Sequence, residues 1–157
     1  VESAVELQRA VLERLPETDV LIMAAAVADY RVERPSAEKI KRSQIGEELE
    51  LKLVANPDIL KEATSQIRTS GLSCLTVGFA AETAGSSEKL QQLGASKLQA
   101  KGCDLLVAND VSEGRIFGDD ETKVSILDSR GVVAEVAASK REAARAILAA
   151  VAAMLSH

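Results

Sequence analysis

The stretch Asp19–Arg42, DVLIMAAAVADYRVERPSAEKIKR, decides how the rest of the chain is read. After its first residue, Asp19–Ala28 is apolar and too short for a packed helix. A run of that length bounded by turn signals predicts a strand buried on both faces, as in a parallel sheet. Ala24, Ala25, Ala26 and Ala28 leave the end of that strand almost without side chains, so a flat ligand can come close to the backbone. Asp29 and Tyr30 stand where the strand is expected to end, and open α/β sheets bind ligands at the carboxyl ends of their strands. A polar loop with Pro35 then brings Lys39, Lys41 and Arg42 within four positions. An acid at a strand tip followed by a cationic loop suits a polyphosphate with its metal ion. The competing reading is structural: Asp29 caps a turn, and the basic residues are a solvated loop.

The whole chain narrows the choice. Its 157 residues make one domain able to bury a core without staples. With 19 basic and 24 acidic residues the net charge is −5, which argues against a nucleic-acid backbone as partner. No apolar run approaches the roughly 18 residues of a membrane span, and no signal peptide opens the chain. The expected location is the cytoplasm. There Cys74 and Cys103, within or beside apolar runs, read as buried free thiols rather than a disulfide or a metal site. The single histidine, His157, is the last residue and is expected to be a frayed tail. Ser-His and Cys-His nucleophilic catalysis are therefore set aside.

Outward from the opening stretch, the elements follow in order. Val1–Leu15 reads as an amphipathic helix with a capping box at Ser3 and Glu6, ended by Pro16. Glu48–Val54 (ELELKLV) alternates strictly and predicts a half-exposed strand. Asn56-Pro57-Asp58 reads as a helix start, with Asn56 as cap and Pro57 in the first position. That helix should run to about Thr69, where Gly71 stops it. Cys74–Ala81 predicts a second buried strand leading to Glu82, and the small polar residues Thr83–Ser87 suit a ligand-facing loop. Glu88–Lys101 is a polar helix with Lys97 and Lys101 one turn apart, and Asp104–Ala108 is a third buried strand closing on Asn109-Asp110. After an irregular connection over Val111–Glu121, the alternation in Thr122–Val136 about Asp128-Ser129-Arg130-Gly131 predicts a hairpin. Ser139 caps a last helix to about Leu155. The expectation is a single α/β domain over residues 1–157, three-layered and Rossmann-like, with a mostly parallel sheet and an added antiparallel β-hairpin.

Asp29, Glu82 and Asn109-Asp110 should then converge along one sheet edge, beside the Asn56-Pro57 helix start and the cations Lys97 and Lys101. Together these favour an anionic nucleotide over a purely structural domain. Neither GxGxxG nor GxxxxGK[ST] occurs, so no dinucleotide fingerprint and no P-loop is claimed.

Five segments carry a sharper signal: AAAVADYR at 24–31, EKIKR at 38–42, ANPDIL at 55–60, GFAAET at 78–83 and KGCDLLVANDV at 101–111. In this order and spacing they closely resemble the phosphopantothenoylcysteine synthetase domain of coenzyme A biosynthesis, and the resemblance covers essentially the whole chain. Such domains often form the C-terminal half of a bifunctional protein, fused to a flavin-dependent phosphopantothenoylcysteine decarboxylase. The resemblance implies a homodimeric ligase that joins 4′-phosphopantothenate to L-cysteine. In the bacterial type, CTP with Mg²⁺ activates the carboxylate as an acyl-cytidylate, and the cysteine amine then displaces CMP.

By the same resemblance, Asp29 matches the acid beside the ribose and phosphates of CTP. Lys39 matches the first lysine of a KxKK motif tied to acyl-cytidylate formation, with Arg42 in the motif's last position here. Pro57, Asp58, Ile59 and Leu60 match the segment around the cytosine, and Phe79 an aromatic of that pocket. Lys97 and Lys101 match two further lysines assigned to CTP, and Met23, Ala24 and Ala25 match the small-residue strand end under the nucleotide. Lys41, Arg42, Glu82 and Asn109 are placed on the substrate or metal side. No metal-ligand set is assigned, magnesium being expected to travel mainly with the triphosphate. The family's pattern also begins with a strand, a glycine-rich loop and an asparagine used in the second half-reaction, none of which is matched here. The expectation is a piece carrying most of the CTP site and part of the phosphopantothenate site. Two other readings stay open: a Rossmann-like domain for another nucleotide or a flavin, and a non-catalytic dimerisation module.

Overall fold

The computed structural model describes residues 1–112 and 121–156. Most of the Val111–Glu121 connection, with Gly114, Phe117 and Gly118, and the terminal His157 lie outside the described residues. Helix α1 (Ala4–Arg14) carries the expected capping box at Ser3 and Glu6. Pro16 follows in a 3-10 turn, Leu15–Glu17, and strand β1 (Val20–Met23) comes almost at once. Next are β2 (Tyr30–Val32), the single-turn helix α2 (Arg42–Ile45) and β3 (Leu53–Ala55). The chain continues through α3 (Ile59–Ser70), β4 (Leu75–Glu82), α4 (Ser87–Lys101) and β5 (Leu105–Asp110). A hairpin of β6 (Glu121–Asp128) and β7 (Gly131–Ser139) leads into α5 (Lys140–Leu155), whose N-cap is Ser139.

Five strands form one sheet in the order β1-β4-β5-β6-β7. β1, β4 and β5 pair in parallel, and β6 runs antiparallel to both its neighbours. β2 and β3 form a separate antiparallel ribbon. On one sheet face, Val77, Leu105, Val107, Val124 and Ile126 pack against Ala143, Ile147, Ala150 and Val151 of α5. On the other, Leu60 of α3 and Leu98 of α4 meet Ala80 and Leu106, while Leu90 of α4 meets Ala108 and Leu127. Leu15, Val11 and Leu12 tuck α1 against Ala63 of α3 and Cys74. Each fully buried Leu, Ile or Val in these clusters stabilises the fold by about 1.5–3 kcal/mol. The result is the expected three-layer domain. Both thiols are free and buried, and burial pushes both above the ordinary cysteine range. Among the described residues no helix is long and apolar enough to cross a membrane.

Two expectations about strands fail. β1 is not buried on both faces over Asp19–Ala28: it ends at Met23, none of its residues is fully buried, and Ile22 is 39% exposed. Among the described residues its only strand neighbour is β4, and Ala24–Ala28 form no regular structure. An alanine run has little β-propensity of its own and no bulk with which to extend the ladder. The strand expected over Glu48–Val54 shrinks to Leu53–Ala55 because its partner is only three residues long, Tyr30 facing Ala55 and Val32 facing Leu53. Without a neighbour to cover them, Leu49, Leu51 and Leu53 are all more than half exposed. Alternation supplies a pattern, but a pattern becomes a strand only where another strand meets it.

Candidate functional site

A cleft of about 220 Å³ opens beyond the carboxyl ends of β1 and β4. It is lined by Met23, Ala25, Val27, Ala28, Asp29, Asn56, Pro57, Asp58, Ile59, Leu60, Phe79 and Lys101. Three segments build it. The first is the irregular, small-residue run after β1, which ends in Asp29 on the threshold of β2 rather than at a strand tip. The second is the lead into α3. The third is the end of β4 together with the last turn of α4.

The lead into α3 differs from its sequence reading. The N-cap is Asp58, whose carboxylate accepts from Lys61 N at 3.3 Å, not Asn56. Asn56 is occupied elsewhere: its Nδ2 donates to Ala28 O at 2.8 Å. The helix therefore begins at Ile59, and the first backbone N–H groups of α3 lie at the cleft wall, where the helix dipole favours an anion or a hydrogen-bond acceptor. Lys101 Nζ donates to Asp58 Oδ2 at 2.7 Å, closing the wall from the α4 side. Its backbone is held in turn by Thr64 Oγ1, which donates to Lys101 O at 2.7 Å. The Lys101 and Asp58 side chains are 34% and 41% exposed, so the pair adds little stability and is free to exchange partners.

The other expected residues lie apart from the cleft. Lys97 does not share Lys101's position: its Nζ lies 2.6 Å from Glu82 Oε1, outside the cleft lining. That oxygen is buried, so the ammonium beside it offsets the cost of burying its charge. Asn109 Oδ1 accepts from Thr122 Oγ1 at 2.9 Å. Asp110 accepts from the hydroxyl and backbone N–H of Ser112, bonds that hold its carboxyl below the usual range. Glu82 and Asn109-Asp110 are thus neighbours on β4 and β5, but local partners use them and they do not meet Asp29 at the cleft. Ala24 does not line it either. Lys39 and Lys41 are exposed on their loop, and Arg42 pairs with Glu47 at the start of α2. Of the other lining residues, Val27 had not been singled out, while Ala28 and Asn56 had been named only as part of the alanine-rich strand end and of the helix start. The first two are continuous with the alanine run. The signal for Asn56 was its place before Pro57, where the backbone is restricted to extended forms rather than helix.

The family model of the DNA/pantothenate metabolism flavoprotein C-terminal domain matches residues 1–155. The chain belongs to this family. The Haemophilus influenzae coenzyme A biosynthesis bifunctional protein CoaBC is 39% identical over 131 residues, covering 83% of this chain and 30% of that protein. The Vibrio vulnificus CoaBC protein is 34% identical over 158 residues, covering all of this chain and 38% of its own length. The chain thus spans about a third of the length of the curated relatives it matches. The crystal structure of the C-terminal domain of a CoaBC protein superposes with a TM-score of 0.72 at 30% identity, over 99% of this chain and 64% of that one. A DNA/pantothenate metabolism flavoprotein from Streptococcus pneumoniae shares the fold, with a TM-score of 0.74 at 19% identity over 98% of this chain and 71% of that one. Among the described residues of this family member, no three His, Cys, Asp or Glu side chains cluster as a metal cage.

Proposed function

We propose that this chain carries the CTP site of a ligase that joins 4′-phosphopantothenate to L-cysteine in coenzyme A biosynthesis. The observation that carries the reading is convergence. Met23, Ala25, Asp29, Pro57, Asp58, Ile59, Leu60, Phe79 and Lys101, nine of the twelve residues that the resemblance assigns to CTP, line one cleft. Ala24, Lys39 and Lys97 are the three that do not. The names of the relatives, bifunctional proteins of coenzyme A biosynthesis, support the same assignment.

In this reading the α3 N-terminus and Phe79 receive the cytosine, and Asp29 faces the ribose and phosphates. A carboxylate oxygen of phosphopantothenate attacks the α-phosphorus, and the bond to pyrophosphate breaks. The cysteine amine then attacks the acyl carbon, loses a proton, and CMP leaves. Two anions meet in the first step, so cations must neutralise them, which is the role given to Lys39, Lys101 and the Mg²⁺ that enters with the triphosphate. Lys41, Arg42, Glu82 and Asn109 are assigned to the side of the second substrates. The working form is a homodimer, joined to or associated with a flavin-dependent decarboxylase and located in the cytoplasm.

Ligand linkage gives the test. CTP with Mg²⁺ should raise the melting temperature of the chain more than ATP, GTP, NAD or FMN at equal concentration. Equal shifts from all nucleotides would remove the cytidine assignment, and a response to FMN or NAD alone would favour a different cofactor domain.

A further inference from the structure

Asn56 makes three polar contacts that no ligand role accounts for. Its backbone N–H donates to Asp29 O at 2.8 Å, and its Nδ2 donates to the preceding carbonyl, Ala28 O, also at 2.8 Å. Its Oδ1 accepts from Arg31 Nη1 at 3.2 Å, and the same guanidinium nitrogen donates to Ala55 O at 2.6 Å. The amide can stand only one way round, because a guanidinium only donates and a backbone carbonyl only accepts. Pro57 holds the backbone of Asn56 out of the helix, so the residue lies along the Ala28–Asp29 segment instead of capping α3.

The segment so held has little else to fix it. Ala24–Ala28 form no regular structure, Val27 alone among them carries more than a methyl group, and Val27 N–H donates to Ala25 O within the segment at 3.1 Å. Asp29, which lines the cleft, follows directly. The geometry points to Asn56, backed by Arg31, as the positioning residue for Asp29: it sets where that carboxylate stands in the nucleotide cleft. This rests on the reading of the cleft as a CTP site. Nothing in it requires Asn56 to touch the nucleotide.

A thermodynamic cycle on the 157-residue chain tests the assignment, with CTP and Mg²⁺ as the probe and calorimetry as the readout. Asn56→Ala should raise the CTP Kd roughly tenfold, the scale of losing hydrogen bonds that fix a binding group. In an Asp29→Asn background the same substitution should change Kd by less than about twofold, since the carboxylate it positions is gone. A merely structural role would give equal effects in both backgrounds, and that result would overturn the assignment. Arg31→Ala removes only an exposed side chain and decides the matter if circular dichroism shows that Asn56→Ala does not fold. Its smaller loss of affinity should likewise vanish with Asp29→Asn, and an undiminished loss would count against the proposal. Absence of CTP binding by the unmodified chain would refute the functional reading and this assignment together. CTP binding that ignores Asn56→Ala and Arg31→Ala would refute the assignment alone.

Discussion

Gly78→Ala strains the packing behind Leu60, a residue of the cleft lining. Gly78 sits inside β4, paired with Met23 of β1, and its backbone is ordinary strand, so alanine is objectionable only for its volume. A Cβ there would stand 2.7 Å from Leu60 Cδ2, 3.0 Å from Leu106 Cδ1 and 3.3 Å from Cys103 Sγ. Leu106 and Cys103 are 1% and 7% exposed and have no room to retreat. Leu60 is 8% exposed but borders the cleft, so it is the side chain with space to give way, toward the cleft. Overpacking of this kind costs about 1–3 kcal/mol. Replacing a strand glycine recovers about 0.5–1 kcal/mol of chain entropy. The net loss is about 0–2.5 kcal/mol, which at about 2–4 °C per kcal/mol lowers Tm by up to about 10 °C. Circular dichroism melts measure this, and calorimetry should show weaker CTP binding beside it. Leu60→Val should partly relieve the variant, a coupling readable in a double-mutant cycle. A raised Tm, or a variant that Leu60→Val does nothing to relieve, would refute the packing argument.

Other outcomes follow from the same geometry. If the proposed reaction holds, Lys39→Ala in the full-length protein should slow acyl-cytidylate formation far more than it weakens CTP binding, because Lys39 lies outside the cleft; steady-state kinetics beside equilibrium binding checks this. Lys97→Ala should leave CTP affinity nearly unchanged while lowering Tm, since it strands the Glu82 carboxylate, and a large affinity loss would return Lys97 to the nucleotide. The Arg130 side chain and backbone N–H hold Asp128 below the usual carboxylate range, so its contribution to stability is complete above the unfolded pKa and is lost as pH falls through the folded one. Arg130→Ala should therefore be less stable at neutral pH and converge with the parent chain in strong acid, as urea melts across that pH range would show. Cys74 and Cys103 should react with a thiol reagent only as fast as the fold opens, because burial keeps both thiols protonated.

Much of the fold was legible because its signals are local. Ser3 with Glu6 and Ser139 ahead of the last helix carry their capping chemistry in a few residues, and Gly71 and Gly102 mark helix ends in the left-handed conformation. The apolar runs of β4 and β5 announce burial on both faces without reference to a partner. What failed depended on distant residues. β1 stops at Met23 and β3 is short because of which strands meet them, and ELELKLV cannot reveal that β2 offers three residues. Asn56 and Asp58 both have side chains able to cap a helix, and a carbonyl 28 positions away, on Ala28, settles which one does. At the site, Asp29 arrives at the cleft although the strand expected to present it ends earlier. Glu82 and Asn109 were placed on the right strands, but Lys97 and Thr122 engage them there.

The claim that this cleft holds CTP is tested most directly by calorimetric titration of CTP with Mg²⁺ into the 157-residue chain, alongside Lys101→Ala. Among the described residues Lys101 is the cation that lines the cleft, and its pairing with half-exposed Asp58 is easily exchanged for a ligand contact. Losing a hydrogen bond to a charged group costs about 1.5–3 kcal/mol, so the variant should bind roughly 10–100-fold more weakly with the same single-site stoichiometry. No saturable heat with the parent chain, or an affinity indifferent to Lys101→Ala, would contradict the account.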